Sequence, residues 1–160
     1  MTVVNFYNKV DDRLFKFAVI IAKFEGRYVF CKHKERNTWE IPGGHRESDE
    51  VILDTAKREL YEETGAIGFD IFPVCAYSVI GEDSFGRPES FGMLYYADIR
   101  LFEVELNSGL CGERAVLVGD LEELHSEIEK IVIADRAPGE WTYPEIQPKL
   151  LEEARKRGFV

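Results

Sequence analysis

Residues 44–66 read GHRESDEVILDTAKRELYEETGA, and this stretch decides how the rest of the chain is read. It holds four glutamates, one arginine and two glycines in a fixed frame, G-x5-E-x7-R-E-U-x-E-E-x-G-U, where U is a bulky aliphatic residue. Gly44, Glu50, Arg58, Glu59, Leu60, Glu62, Glu63 and Gly65 all fill their places, and only Ala66 is smaller than the frame asks. With residue usage of roughly 5–10% per position, so many matches arise by chance about once in a billion windows.

The spacing predicts a helix over 48–64. Ser48 or Asp49 can cap its start, acidic residues crowd the first turn, and Gly65 supplies a left-handed stop. Ile52, Ala56 and Leu60 recur every fourth residue and form a stripe to be buried. Glu59, Glu62 and Glu63 share a second face of the same helix. On a wet surface a like-charge pair of this kind costs only about 0.2–0.5 kcal/mol. In a cleft of effective dielectric near 20, two charges about 6 Å apart cost nearer ~3 kcal/mol. A bound divalent cation reverses that sign, and oxygen donors without His or Cys favour Mg²⁺ or Mn²⁺ over zinc. Arg58 can reach Glu62 one turn on, or hold a neighbouring carboxylate in place. The plain alternative is a solvated acidic helix face. Gly44, Glu50, Arg58 and Gly65 in register favour metal binding instead.

Upstream, residues 39–44 read WEIPGG, a strand end followed by a glycine loop. Glycine lets the backbone approach a phosphate or metal closely, and Pro42 fixes the angle of approach. Lys32, Lys34, Arg36, His45 and Arg46 cluster around this loop, and Lys34 and Arg46 are the candidates for phosphate contact. Trp39, Trp141 and Tyr143 could stack on a base, although such aromatics more often pack the core. His33 and His125 have no partner pattern and read as structural or surface residues.

Composition bounds the rest. The 160 residues, 45% hydrophobic and 31% charged, suit one domain over 1–160 with a sizeable core. The longest apolar run, 17–22, is strand-sized and far short of a membrane span. The N-terminus has no signal-peptide layout, and Cys31, Cys75 and Cys111 are odd in number and scattered. They read as reduced thiols, so the expected compartment is the cytoplasm. A net charge of −10 argues against an extended nucleic-acid surface but not against a small anion bridged by metal.

Along the chain, 14–22 and 27–33 read as strands joined by a Glu25-Gly26 turn, and 39–42 as a short strand. Two long β-rich segments, 69–80 and 91–102, flank the turn-rich 81–90, and the second could be an edge or a dimer strand. Residues 115–118 read as a further strand, 120–124 as a turn or helix, and 144–156 as a helix with Pro144 near its first turn. Mixed strands with two helices point to an α/β/α sandwich around a mixed sheet.

The frame at 44–66 is the Nudix box, and the chain resembles the Nudix hydrolase family; the resemblance is specific over 39–66. It implies the α/β/α Nudix fold, with Glu59, Glu62 and Glu63 as metal ligands, the Gly43 carbonyl joining them, and Gly44 beside it in the site. It further implies that Glu50 supports the site and that Arg58 orients a carboxylate. The implied reaction is attack of water on a phosphorus of a nucleoside diphosphate linked to another group, aided by Mg²⁺ or Mn²⁺. Several members use an extra glutamate from the loop before a late strand, and Glu113 stands at such a place. The proline of the ADP-ribose group is replaced by Gly81-Glu82, and the tyrosine of the dinucleoside polyphosphate group by Asp83-Ser84. The signatures of the coenzyme A and NADH groups are missing. What remains is similar to the mutator-type enzymes that hydrolyse (d)NTP or 8-oxo-dGTP to a monophosphate and pyrophosphate, although no residue matches their base-contacting asparagine. Removal of pyrophosphate from RNA 5′ ends, hydrolysis of another nucleotide conjugate, and a non-catalytic ligand-sensing domain are the alternatives. Homodimers are common in the family.

Overall fold

The chain is described by a computed structural model covering residues 1–81, 89–124 and 126–160. Glu82, Asp83 and Ser84, His125, and most of the expected turn over 81–90 lie outside the described residues.

Among the described residues the chain forms strands β1 (Val3–Tyr7), β2 (Phe15–Phe24), β3 (Arg27–His33) and β4 (Gly43–His45), then helix α1 (Ile52–Thr64). Strands β5 (Ala66–Ile80), β6 (Ser90–Phe102), β7 (Leu106–Cys111), β8 (Arg114–Asp120) and β9 (Ile128–Ala134) follow, and helix α2 (Gln147–Lys156) comes last. The strands join one mixed sheet in the order β1-β5-β6-β2-β3-β9-β8-β7, with β4 paired to β2. Among the described strands β2 and β6 are the pair that runs parallel, through nine paired positions. One face of the sheet packs with Ile52, Ala56 and Leu60 of α1, and the other with Leu150 and Ala154 of α2. The sandwich expected from the sequence is therefore present, with the predicted stripe of α1 buried.

The tight link between β2 and β3 is the Glu25-Gly26 turn, where both residues hold positive φ (51° and 79°). That mirror-image turn matches the right-handed twist of the two strands. The strands then diverge: β2 pairs with β3 only at Lys23–Tyr28 and Phe24–Arg27. The fork between them is bridged by residues 39–45. Cys31 and Glu40 exchange two backbone hydrogen bonds at 2.9 Å, and the Ile20 amide donates to the Pro42 carbonyl at 2.8 Å. The short strand expected at 39–42 is thus a bridging segment, and the paired strand is Gly43–His45, against Phe17–Val19.

Other boundaries differ for identifiable reasons. Helix α1 starts at Ile52 rather than Ser48, and no side chain caps it. Asp49 holds a positive φ of 63°, and residues 47–50 fold into a tight turn closed by the Glu50 amide on the Glu47 carbonyl. The Glu50 carboxylate turns back to accept from the Glu47 amide and the Thr55 hydroxyl. Gly65 ends the helix in the left-handed conformation, as expected, with its amide on the Tyr61 carbonyl. Helix α2 starts at Gln147 with Pro148 in its first turn, because residues 143–146 form a preceding turn around the Tyr143 carbonyl. Strand β6 is not an edge: it lies between β5 and β2, and both flanks are hydrogen-bonded. The sheet path ends instead at β1 and β7.

Candidate active site

A cleft of about 1030 Å³ opens at the fork between β2 and β3, near the upper end of the range for small-molecule pockets. Its walls divide by chemistry. Glu59, Glu62 and Glu63 of α1 and Gly43-Gly44 of β4 form one side. Phe17 and Val19 of β2 and Tyr77 and Val79 of β5 form an apolar floor. Tyr143, Ile146, Gln147 and Leu150 close the end beside α2.

The carboxylates are held unequally. Glu63 is buried at 8% exposure and accepts the Gly43 amide at 2.8 Å. Burial raises its pKa well above the usual carboxyl range, the Gly43 amide opposes this, and Glu40, Glu59 and Glu127 add to the rise. Burial also raises Glu59, against the pull of Arg58. A side chain at Gly44 would run into the Glu59 carboxylate, so only glycine leaves that carboxylate its place. Glu62 is exposed and lies 3.2 Å from Arg58.

Arg58 ties these groups together. Its Nε donates to Glu50 at 2.8 Å, one terminal nitrogen to Glu59 at 2.8 Å and Glu62 at 3.2 Å, and the other to the His45 carbonyl at 2.9 Å and Glu50 at 3.0 Å. All five guanidinium donors are spent inside the protein. Held by Arg58, and secondarily by Thr55, Glu50 has its pKa lowered to about 2.

The donor set fits a hard divalent cation. Burial penalises the charge of Glu59 and Glu63, Glu62 stands exposed on the same face, and Arg58 alone does not neutralise the three. A different grouping, Cys31 with Glu40 and Glu63, is the one whose ligand atoms lie within 4.8 Å of one another among the described residues. Its thiol is kept protonated by burial and donates to the Glu40 carbonyl at 3.4 Å, which makes it packing rather than a soft metal ligand.

The remaining sequence candidates separate. Lys34 is exposed and does not line the cleft. Arg46 does line it, but its guanidinium is occupied by Asp12, by the carbonyls of Asp12 and Phe15, and by the Glu50 carbonyl at 2.6 Å. It clamps residues 12–15 to the loop before α1. Glu113 sits exposed in the turn between β7 and β8 and does not line the cleft. The glutamate that does come to the cleft from a loop before a late strand is Glu127, just ahead of β9. The β-branched residues Ile128, Ile131, Val132 and Ile133 signal that strand, and they put Glu127 at its start. His33 lines the cleft rather than the surface, with Nε2 3.8 Å from Glu40 and 4.0 Å from Glu127. Of the three candidate stacking aromatics only Tyr143 lines the cleft; Trp141 packs edge-on against Phe30, and Lys130 lies over Trp39.

Comparison with known proteins gives this geometry a lineage. The chain resembles the Bacillus subtilis protein YtkD, whose name carries 8-oxo-dGTP diphosphatase as an unconfirmed activity, with 32% identity over 97 residues covering 58% of each chain. An RNA pyrophosphohydrolase of Bartonella henselae is 27% identical over 104 residues, 56% of this chain and 60% of that one. The chain thus matches less than two thirds of the length of these relatives. Among solved structures, the Bacillus subtilis pyrophosphohydrolase BsRppH, crystallised as a point mutant, superposes with a TM-score of 0.68 at 19% identity, over 99% of this chain and 92% of that one. The NUDIX domain of Shewanella oneidensis NrtR, solved with ADP ribose, superposes at 0.52 with 15% identity over 92% and 93%. These two likenesses speak for the fold alone. A match to the NUDIX domain spans residues 13–142, most of the chain, and on that match this protein belongs to the NUDIX family.

Proposed function

We propose that this protein is a Mg²⁺-dependent pyrophosphohydrolase of nucleoside triphosphates, (d)NTP or 8-oxo-dGTP, releasing a nucleoside monophosphate and pyrophosphate. One observation carries the reading. Glu59, Glu62 and Glu63 meet the Gly43-Gly44 loop at one side of a cleft whose floor is apolar and aromatic. A phosphate chain suits the first part and a nucleoside the second. Mn²⁺ could replace Mg²⁺ on the same oxygen donors.

Glu59, Glu62 and Glu63 would hold the metal, together with the Gly43 carbonyl. Bound there, the metal supplies charge neutralisation on the phosphates and a lowered pKa for the attacking water. The protein does the positioning. Arg58 holds the Glu59 and Glu62 carboxylates, Glu50 holds Arg58, and the Gly43 amide fixes Glu63. Glu127, facing the cluster from the β9 side, takes the proton as the water oxygen bonds to phosphorus and the bond to the leaving phosphate breaks. Glu127 is exposed at the cleft and open to an attacking water, whereas Glu63 is buried and already accepts the Gly43 amide.

A second reading, removal of pyrophosphate from RNA 5′ ends, is favoured by the likeness to the Bartonella RNA pyrophosphohydrolase. The net charge of −10 leaves room for a terminal nucleotide rather than a long RNA footprint. A non-catalytic sensing role is disfavoured because every box glutamate is kept. We place the protein in the cytoplasm on its three free cysteines; among the described residues no helix is long and apolar enough to cross a membrane. If a homodimer forms through its sheet, the strands available are β1 and β7, and light scattering after gel filtration decides between one copy and two.

The test is phosphate and pyrophosphate release from a nucleotide panel with Mg²⁺ or Mn²⁺. The panel holds 8-oxo-dGTP, common (d)NTPs, ADP-ribose, a dinucleoside tetraphosphate and a short 5′-triphosphate RNA. Metal-dependent turnover of triphosphates, reduced about 10²-fold or more in Glu127→Gln and unchanged in Glu113→Gln, is the expected result. Folded protein silent on every substrate would refute the enzyme reading.

A further inference from the structure

Among the described residues three arginines line the cleft, and two of them are held largely by the protein's own oxygens. Arg58 spends all five donors on Glu50, Glu59, Glu62 and the His45 carbonyl, and Arg46 is bound to Asp12 and three backbone carbonyls. Arg36 differs. Its side chain is 44% exposed and makes one ion pair, to the Glu40 carboxylate at 3.2 Å. Burial works against its charge, but the Tyr143 hydroxyl and Glu40 outweigh it and hold its pKa above the ordinary value. Most donors of its planar fork have no partner among the described residues. Glu40, where it rests, is itself one carboxylate away from the metal-binding cluster, within 4.8 Å of Glu63.

A polyanion entering this cleft meets Glu40, Glu59, Glu62, Glu63 and Glu127 in a protein of net charge −10. Beyond a metal, it needs a cation that is not already spent. We propose that Arg36 is the residue that receives the substrate's phosphate chain, turning its fork from Glu40 onto phosphate oxygens that the metal leaves uncovered. The proposal rests on the pyrophosphohydrolase reading of the same cleft. Its physical basis is the match between a guanidinium fork and paired phosphate oxygens, which a lysine ammonium does not reproduce. The loop carrying Arg36, residues 34–37, is exposed, so the side chain can turn without disturbing the core.

The test separates phosphate binding from metal binding and from catalysis. Inorganic tripolyphosphate is titrated calorimetrically into Ca²⁺-loaded protein, and Mn²⁺ alone is titrated by electron paramagnetic resonance. Arg36→Gln should weaken tripolyphosphate by about tenfold or more while Mn²⁺ affinity stays within about twofold, and Arg36→Lys should recover only part of the loss. Lys34→Gln, outside the cleft, should change neither. On whichever triphosphate the wild type hydrolyses, Arg36→Gln should raise KM more than it lowers kcat. Tripolyphosphate affinity unchanged in Arg36→Gln, no measurable tripolyphosphate binding by wild type, or an equal fall in Mn²⁺ affinity would each overturn the proposal. The last would show that the arginine only tunes Glu40. A wild type that binds tripolyphosphate through Arg36 yet hydrolyses no nucleotide would sink the enzyme reading and leave this one standing.

Discussion

Replacing Glu63 with Gln should stabilise the metal-free protein while removing its response to metal. The carboxylate is buried, and one of its oxygens lies within 4.8 Å of a Glu40 oxygen. At an effective dielectric near 20, a charge pair at that distance costs about 3 kcal/mol. Arg36 at 3.2 Å offsets part of the Glu40 charge, and the Gly43 amide stabilises Glu63 itself. A net cost of about 1–2 kcal/mol remains on these terms. Gln keeps an oxygen for the Gly43 amide and removes the charge, so Tm in EDTA at pH 8 should rise by about 3–6 °C. The pH dependence has a definite sign. Because the folded pKa of Glu63 is raised, the wild type carries no such penalty below the ordinary carboxyl pKa of about 4.3 and loses stability as pH climbs toward the folded value. The gap between mutant and wild type should therefore be small at pH 4 and open as pH rises. Adding Mg²⁺ should raise the wild-type Tm, by the equivalent of about 2.7 kcal/mol at a hundredfold excess over Kd, and leave the mutant nearly unmoved. Scanning calorimetry across pH, with EDTA or Mg²⁺, measures all of this. A mutant that melts below the wild type in EDTA at pH 8 would refute the argument, because it would show that the charge at Glu63 is satisfied without metal.

Three further outcomes follow from the geometry. Glu50→Gln removes the carboxylate that holds Arg58 and should destabilise the protein at pH 7, by about 1–2 kcal/mol in urea unfolding. Since the Glu50 pKa is depressed to about 2, that difference should be full above about pH 4.5 and vanish as pH falls toward the folded value. Gly44→Ala drives a methyl into the Glu59 carboxylate and should cut turnover about 10²-fold with the fold retained by circular dichroism. Gln147→Met leaves the Ile41 amide and carbonyl without their side-chain partner and should cost about 1–3 kcal/mol in urea unfolding.

The parts of the molecule that were legible in the sequence are those written in local spacing. The stripe Ile52, Ala56, Leu60, the shared face of Glu59, Glu62 and Glu63, and the stop at Gly65 depend on helix geometry alone, and each is where the spacing put it. What could not be read depended on partners distant in sequence. Arg46 and Arg36 are both basic residues near the same loop; only the position of Asp12, more than thirty residues before Arg46, shows which is occupied. Glu113 and Glu127 both precede strands, and the fork in the sheet decides which one faces the cleft. The composition of residues 39–42 fits a strand, whereas they serve as a bridge between two strands that diverge. Strand β6 could be placed inside the sheet only once β2 had paired with it in parallel, a long-range contact that periodicity does not encode.

The hydrogen bonds from Gln147 to Ile41 also set a timetable. They span 106 residues, and a second tie, from Thr2 to Glu145, spans 143. A ribosome adding about 5–20 residues per second delivers Gln147 some 5–20 s after Ile41. Through that interval Ile41 lacks its side-chain partner and the end of the cleft beside α2 stays open, although the floor on β2 and β5 is already made. The nascent chain would emerge with the acidic helix α1 already made, and its cleft would be closed at one end only as α2 docks.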